Sequence, residues 1–202
     1  IARLLLNEIK VNRIEIASAR VSVGEMEAVK QVCDWASKHK KLKSIEVLGF
    51  IDNGISINWI KNAGGKIVNM LSKGSLRHCE YQLKKSPEEH INDIKNEIEI
   101  ANKEGIEVNL YLEDWSNGMK DSPEYVYNLI DSLSECNIKR FMLPDTLGVL
   151  NPDSTYKYCK DIIDRYPTLH FDFHAHNDYD LAVANCYAAV KAGIKGVHCT
   201  IN

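Results

Sequence analysis

Residues 169–178 read LHFDFHAHND, a short apolar run that ends in a His-Ala-His triplet. Side chains alternate between the two faces of a β-strand, so a strand over this run places His174 and His176 on the same face. Two imidazoles beside Asn177 and Asp178 form half of a divalent-metal site. The simpler interpretation is a histidine pair at the surface or at the edge of the core. The carboxyl end of a barrel strand favours the metal site, because ligand sites of such folds collect there.

The same alternation of short apolar runs with longer amphipathic segments extends along the whole chain. Predicted strands recur every 20 to 40 residues or so with a helix between them, which is the βα unit of a parallel sheet. Ser86, Ser122 and Asn151 each precede a proline and predict capped helix starts, whereas Gly105 and Gly193 predict helix ends. The predicted strands cover residues 13–17, 44–50, 66–71, 107–113, 140–145, 170–176 and 196–202, and the predicted helices cover residues 23–39, 55–62, 87–103, 123–135, 152–166 and 180–192.

Two architectures fit this α/β pattern, an open doubly wound sheet and a (β/α)8 TIM barrel. The absence of a G-x-G-x-x-G or P-loop motif counts against a nucleotide-binding open sheet. Polar residues at the ends of successive predicted strands favour the barrel, whose active site forms at one rim. We therefore predict a single partial TIM-barrel domain over residues 1–202, comprising strands 2 to 8. The first strand, ahead of Ile1, and the last helix, after Asn202, are expected to be absent from this chain.

The composition excludes several classes of function. The 202 residues are 45% apolar and 26% charged with a formal net charge of −3, so there is no basic surface for nucleic acid and no polybasic membrane patch. No apolar run approaches the roughly 18 residues of a membrane span. The six cysteines form no C-x-x-C pair, which is typical of reduced thiols in a cytoplasmic protein.

Two strand ends carry side chains suited to catalysis. Tyr111 and Glu113 alternate onto one face, where the Glu113 carboxylate could act as a general base or anchor an electrophile. An ion pair with a neighbouring cation is an equally good interpretation of Glu113. The Thr146 hydroxyl, in the turn after another strand, could bind a substrate carboxylate. Helix capping before Pro152 is the alternative role for that turn.

Leu48, Leu71 and Tyr111 are predicted to end three successive strands and to form an apolar wall beside the metal, although burial in the core is the simpler role for any leucine. A substrate with a second carboxylate would need a cation there, because an unpaired buried carboxylate is costly. We place Arg20, Lys73 and Arg77 in loops on the solvated rim, so the wall lacks such a cation. Ser72 to Ser75 could receive a phosphate, but a helix start is the commoner meaning of that pattern.

Together these motifs resemble the DRE-TIM metallolyase superfamily, and within it the group of alpha-isopropylmalate, homocitrate and citramalate synthases, with the citramalate synthases most similar. The resemblance extends over the whole chain, and the histidine block with its following helix is its most specific part. The segments that carry it are residues 14–20 (IEIASAR), 111–115 (YLEDW), 144–148 (PDTLG), 174–178 (HAHND) and 181–185 (LAVAN).

The resemblance implies a role for each candidate residue. His174 and His176 would be metal ligands, Glu113 the catalytic carboxylate and Thr146 the contact of the 2-oxo acid carboxylate. Leu48, Leu71 and Tyr111 would occupy the positions that set substrate choice, and their apolar character suits the methyl group of pyruvate. The family's Leu-Arg-Asp motif, with its ligand Asp and catalytic Arg, and its Asn ligand after the last strand do not occur in this sequence.

The activity implied is a metal-dependent Claisen condensation of acetyl-CoA, as co-substrate, with a short 2-oxo acid. Pyruvate is favoured, which would place a citramalate synthase in isoleucine biosynthesis, and Mg2+, Mn2+ and Zn2+ all suit the ligands. The alternatives are a 2-isopropylmalate synthase of leucine biosynthesis using 2-oxoisovalerate, a homocitrate synthase, a lyase like 3-hydroxy-3-methylglutaryl-CoA lyase, and an inactive barrel fragment. We expect a cytoplasmic homodimer in the full-length protein and no activity from residues 1–202 alone.

Overall fold

A parallel β-sheet organises the chain. The computed structural model describes residues 1–201, and within them seven strands lie side by side in chain order, β1-β2-β3-β4-β5-β6-β7. A helical segment follows each of the first six strands, which is the connectivity of a (β/α)8 barrel. The strands are β1 (Ile14–Ser18), β2 (Ile45–Phe50), β3 (Ile67–Lys73), β4 (Glu107–Glu113), β5 (Ile138–Asp145), β6 (Phe171–Ala175) and β7 (Gly196–His198).

Each of the predicted helices is present, with bounds that agree to within two residues. The sequence pattern missed a helix over Trp115–Asp121 and a π-helical turn over His78–Leu83, because both are short and start without a capping side chain. The helices are α1 (Ala2–Leu4, continued by a π-helical turn over Leu5–Ile9), α2 (Val23–Lys38), α3 (Ile55–Asn62), α4 (Pro87–Lys103), α5 (Trp115–Asp121), α6 (Pro123–Leu133), α7 (Pro152–Arg165) and α8 (Ala182–Ala192). Within residues 1–201, no helix has the length and apolar character needed to cross a membrane.

Two of the three predicted serine and asparagine caps are confirmed. Ser86 accepts the Glu89 backbone N–H while the Glu89 carboxylate accepts the Ser86 N–H, which is a capping box. Asn151 accepts the Ser154 N–H at the start of α7. The prediction for Ser122 is wrong, because its hydroxyl is turned to the loop after β3, where it accepts the Leu76 N–H at 3.4 Å. Proline alone marks the start of α6.

The chain folds into two compact units. A division into compact units does not decide the number of domains, so the single domain expected from the sequence stays a prediction. The first unit comprises Ile1–Leu71 and Asp93–Asn109. Its sheet carries a buried polar cluster in which the Asn69 amide donates to Glu15 and Glu46, and Asn109 donates to Asn69. Leu48 pairs in register with Asn69, a member of this cluster. The sheet is therefore polar beside Leu48, where the sequence suggested an apolar wall.

The second unit comprises Ser72–Asn92 and the chain from Leu110 onward. Its core is aromatic, with Trp115, Phe141, Phe171 and Phe173 fully buried. The predicted strand over residues 196–202 ends at His198, and Asn202 lies outside the described residues. Helix α8 begins at Ala182, because the Asn177 side chain accepts the Ala182 N–H and keeps the preceding residues in a loop.

The cysteines of the described residues agree with the prediction of reduced thiols. All six are free, and Cys33, Cys79 and Cys159 are buried. Burial, with a smaller contribution from Asp34, raises the pKa of Cys33 to about 11, so its thiol is protonated and unreactive at neutral pH.

Candidate functional site

The histidine pair lies where the sequence placed it, at the carboxyl end of β6. His174 is near the end of the strand and His176 directly follows it, and their ring centroids are 5.1 Å apart. Burial, and then the neighbouring His198 and His176, lower the pKa of His174 to about 4. His174 is therefore neutral at neutral pH, the form that binds metals.

A third histidine, which the sequence analysis missed, lies beside the pair. His198 pairs in register with His174 across β6 and β7, and their Nδ1 atoms are 3.3 Å apart. Its Nδ1 is also 3.0 Å from the Tyr111 hydroxyl, and its Nε2 is 3.6 Å from a carboxylate oxygen of Asp172. Period-two alternation in Gly196-Val197-His198 is the signal that could have found it, since it predicts that His198 shares a face with Gly196.

Asp172 is a fully buried carboxylate two residues before His174. Arg140 and His170 donate to its two oxygens at 3.1 and 2.7 Å. Burial alone would raise the pKa of Asp172, but the contacts with His198 and His170 and the charges of His170 and Arg140 outweigh it and lower the pKa far below its usual range. Asp172 is therefore an anion at neutral pH.

Glu113 forms an ion pair at the end of β4. Its partner is Lys73, the last residue of β3. The Glu113 side chain is 24% exposed and the Lys73 side chain is 16% exposed. The placement of Lys73 in a solvated loop is therefore wrong. The change from apolar to polar residues after Leu71 suggested the end of the strand, but strand pairing continues for two more residues and brings the ammonium group inward.

Thr146 is held against the turn after β4. Its hydroxyl oxygen accepts the backbone N–H of Asp114 at 2.8 Å, so the hydroxyl hydrogen can still be donated to a ligand. Buried Asp114 also accepts hydrogen bonds from Ser75 and Asn117. Asp145 folds the Thr146 loop, since its carboxylate accepts two backbone N–H groups of that loop at 3.1 and 3.0 Å.

The three apolar residues do not end their strands as the sequence suggested. Strands β2, β3 and β4 continue two residues further, to Phe50, Lys73 and Glu113. Tyr111, in the second unit, contacts His174 edge-on with ring centroids 5.9 Å apart, so this predicted neighbour of the histidines is present. Leu48 and Leu71 are half-buried on adjacent strands of the first unit, and their role in substrate choice stays a prediction.

The donor set of the second unit fits one side of a divalent-metal site. His174 and His176 supply two imidazoles, and the neutral state of His174 suits ligation. Within residues 1–201, no group of three or more His, Cys, Asp or Glu side chains has metal-binding geometry. His198 does not extend the pair, because both of its ring nitrogens face other protein groups.

A cavity of about 570 Å³ opens beside Asp114 in the second unit. Its lining includes Ser75 and His78 at the loop after β3. The charged residues of the lining are Arg77, Lys120, Asp114 and Asp121. The cavity therefore adjoins the carboxyl end of β4, where Glu113 lies.

Comparisons with known proteins agree with this architecture. The chain is 31% identical over 204 residues to the 2-isopropylmalate synthase of Methanocaldococcus jannaschii, covering 98% of this chain and 36% of that protein. A homocitrate synthase of Sulfolobus acidocaldarius is 33% identical over 115 residues, covering 57% of this chain and 24% of that enzyme. The chain thus spans about a third of the length of the first of these relatives.

Solved structures show the same fold. A crystal structure of HMG-CoA lyase from Bacillus subtilis superposes with a TM-score of 0.74 at 24% identity, covering 97% of this chain and 66% of that chain. Together with the strand order, this confirms the prediction of an incomplete (β/α)8 barrel. The profile of the HMGL-like family matches residues 1–202. This match covers the whole sequence, so the chain belongs to the HMGL-like family.

Proposed function

We propose that the protein containing this chain is an acyltransferase that condenses acetyl-CoA with a short 2-oxo acid. The arrangement around Glu113 carries the proposal. Tyr111, two residues earlier on β4, contacts His174, and Asp114, the next residue, bonds Thr146. Glu113 therefore has one neighbour along the chain that contacts the histidine pair suited to a metal and another that bonds the hydroxyl suited to a carboxylate.

His174 and His176 would hold a divalent cation, with oxygen atoms of the substrate or water completing its coordination. When bound, such a cation polarises a ketone oxygen as a Lewis acid. Thr146 would donate its hydroxyl hydrogen to the carboxylate of the 2-oxo acid and so orient the ketone toward Glu113. The hydroxyl is preorganised for this role, because the Asp114 N–H fixes its oxygen.

Glu113 is the proposed general base. Its carboxylate would take a proton from the acetyl methyl group, and the resulting carbanion would form the new carbon–carbon bond with the ketone carbon. The π electron pair of the C=O bond would move to the ketone oxygen, which takes a proton from solvent while Glu113 returns its own to solvent. Hydrolysis of the thioester then consumes one water, breaks the carbon–sulfur bond and releases CoA. Lys73 orients the resting carboxylate through their ion pair. The cavity beside Asp114, with Arg77 and Lys120 in its lining, suits the phosphates of acetyl-CoA.

Among 2-oxo acids, we propose pyruvate ahead of 2-oxoisovalerate. Lys73 lies two residues after Leu71 of the predicted substrate wall, but Glu113 already balances its charge, so it offers no unmatched cation to a second carboxylate. The relatives at 31% and 33% sequence identity are synthases, so a lyase acting in the cleavage direction is not favoured. The homodimer and the cytoplasmic location stay predictions.

Release of CoA tests the proposal. The natural protein that contains residues 1–202 is incubated with acetyl-CoA, Mg2+ or Mn2+, and pyruvate, 2-oxoisovalerate or 2-oxoglutarate in turn, and free thiol is measured. We expect release with pyruvate, and a decrease of about 10²- to 10⁴-fold in kcat for Glu113→Gln because the base is lost. Glu107→Gln, at the opposite end of the same strand, is the matched control and should retain activity. The absence of CoA release with every 2-oxo acid would refute the proposed function.

A further inference from the structure

A continuous row of side chains joins a buried carboxylate to the histidine pair. Asp172 is at one end of the row, His198 is in the middle, and His174 is at the other end. All three project from one face of β6 and β7, because Asp172 pairs in register with Gly196 and His174 with His198. Glycine at position 196 makes room for this arrangement, since a Cβ there would lie 2.4 Å from an Asp172 oxygen.

The positions of the hydrogens follow from the ion pair of Asp172 with the buried Arg140 guanidinium at 3.1 Å. The His198 Nε2 faces an anion at 3.6 Å, so this nitrogen carries the hydrogen and Nδ1 carries the lone pair. That lone pair faces the Tyr111 hydroxyl at 3.0 Å and His174 Nδ1 at 3.3 Å. Two unprotonated nitrogens at such a distance would repel each other, so His174 holds its hydrogen on Nδ1.

We propose that Asp172 and His198 are positioning residues that set the tautomer of His174 and leave its Nε2 lone pair available for a metal ion. The proposal rests on the proposed function, because it assigns the metal-ligating atom of that same site. Outer partners of this kind orient a ligand ring and increase its basicity. His170 also bonds Asp172 but not His174, so it lies outside this relay.

The first test needs no substitution. Long-range ¹H–¹⁵N spectra of the ¹⁵N-labelled, metal-free natural protein that contains residues 1–202, at neutral pH, report which nitrogen of each histidine carries the hydrogen. We expect His174 as the Nδ1–H tautomer and His198 as the Nε2–H tautomer. A His174 that carries its hydrogen on Nε2 overturns the proposal. Because this measurement uses the wild-type chain, it decides the question even if a variant does not fold.

The second test compares two histidine variants that share the Asp172 contact. His198→Phe keeps a ring but removes the acceptor, so we expect a loss of the Nδ1–H preference of His174 and a Co2+ affinity lower by about 10- to 100-fold. His170→Phe is the matched control and should change the affinity by less than about threefold. Equal effects of the two substitutions would overturn the relay. A wild-type chain with the expected tautomers but no Co2+ binding would support the relay and contradict the proposed metal site.

Discussion

Replacement of Gly196 by alanine is expected to destabilise the second unit, although alanine is ordinarily the better strand residue. The added Cβ would lie 2.4 Å from one carboxylate oxygen of Asp172 and 2.7 Å from its Cγ, against an ordinary contact distance of 3.4–4 Å. Asp172 is fully buried and held by Arg140 at 3.1 Å and by His170 at 2.7 Å. A shift of about 1 Å would break these bonds, because hydrogen bonds weaken steeply beyond their usual length.

The size of the expected stability loss follows from the ion pair between Arg140 and Asp172 that such a shift disrupts. Disrupting a buried ion pair costs about 3–5 kcal/mol, and the entropic advantage of alanine over glycine offsets about 0.5–1 kcal/mol of it. We therefore expect Gly196→Ala to lower the free energy of unfolding by about 2–4 kcal/mol. Since domains are stable by only about 5–15 kcal/mol, this is a large fraction of the total.

Urea unfolding measures the effect as a change in midpoint at a constant slope. Gly24→Ala is the matched control, because its Cβ would meet only the Ser22 hydroxyl, at 3.9 Å, and it should not destabilise the chain. In an Asp172→Ala background the cost of Gly196→Ala should disappear, since the clashing carboxylate is gone. A loss below about 0.5 kcal/mol in the wild-type background, or the same loss in both backgrounds, would refute the reasoning.

Two further predictions concern the histidine pair and the Glu113 ion pair. The pKa of His174 is lowered from 6.5 to about 4, so the unfolded chain binds this proton more tightly, and about 3 kcal/mol of stability should be lost as the pH falls from about 6.5 to 4. His174→Gln should remove that part of the pH dependence in urea unfolding, and an NMR titration midpoint of His174 above about 6 would contradict the pKa. For Lys73 and Glu113, which are partly exposed, a double-mutant cycle with Lys73→Met and Glu113→Gln should give a coupling of about 1 kcal/mol. A coupling near zero would show that the two charges do not stabilise each other.

Periodicity predicted the elements well, because the signals that define them are local. The strand over residues 107–113 and the helices over residues 55–62 and 87–103 have the predicted bounds. Glycines at positive φ end the helices at Gly105 and Gly193, as their place after a lysine-containing last turn indicated. The Ser122 cap failed, because a serine before proline can bond to any nearby backbone group, and here the loop after β3 is closer.

The site was predicted as a set of residues but not as a set of partners. His174, His176, Glu113 and Thr146 are at strand ends, where the alternation of polar and apolar residues put them. Lys73 was misplaced, because strand pairing and not polarity decides where a strand ends. His198 was missed, because its meaning depends on a neighbour, Asp172, which is 26 positions earlier in the numbering of the chain.

The sequence by itself determined the βα order of this chain, the histidine pair on β6 and the resemblance to a family of metal-dependent enzymes. The first two depend on spacing along the chain, and period-two and helical repeats report them directly. The resemblance rests on short motifs. Only the tertiary structure decided which side chains meet, namely Lys73 with Glu113 and Asp172 with His198. Such pairings depend on the register between strands that are distant in sequence, and register is set by packing and backbone hydrogen bonds across the sheet.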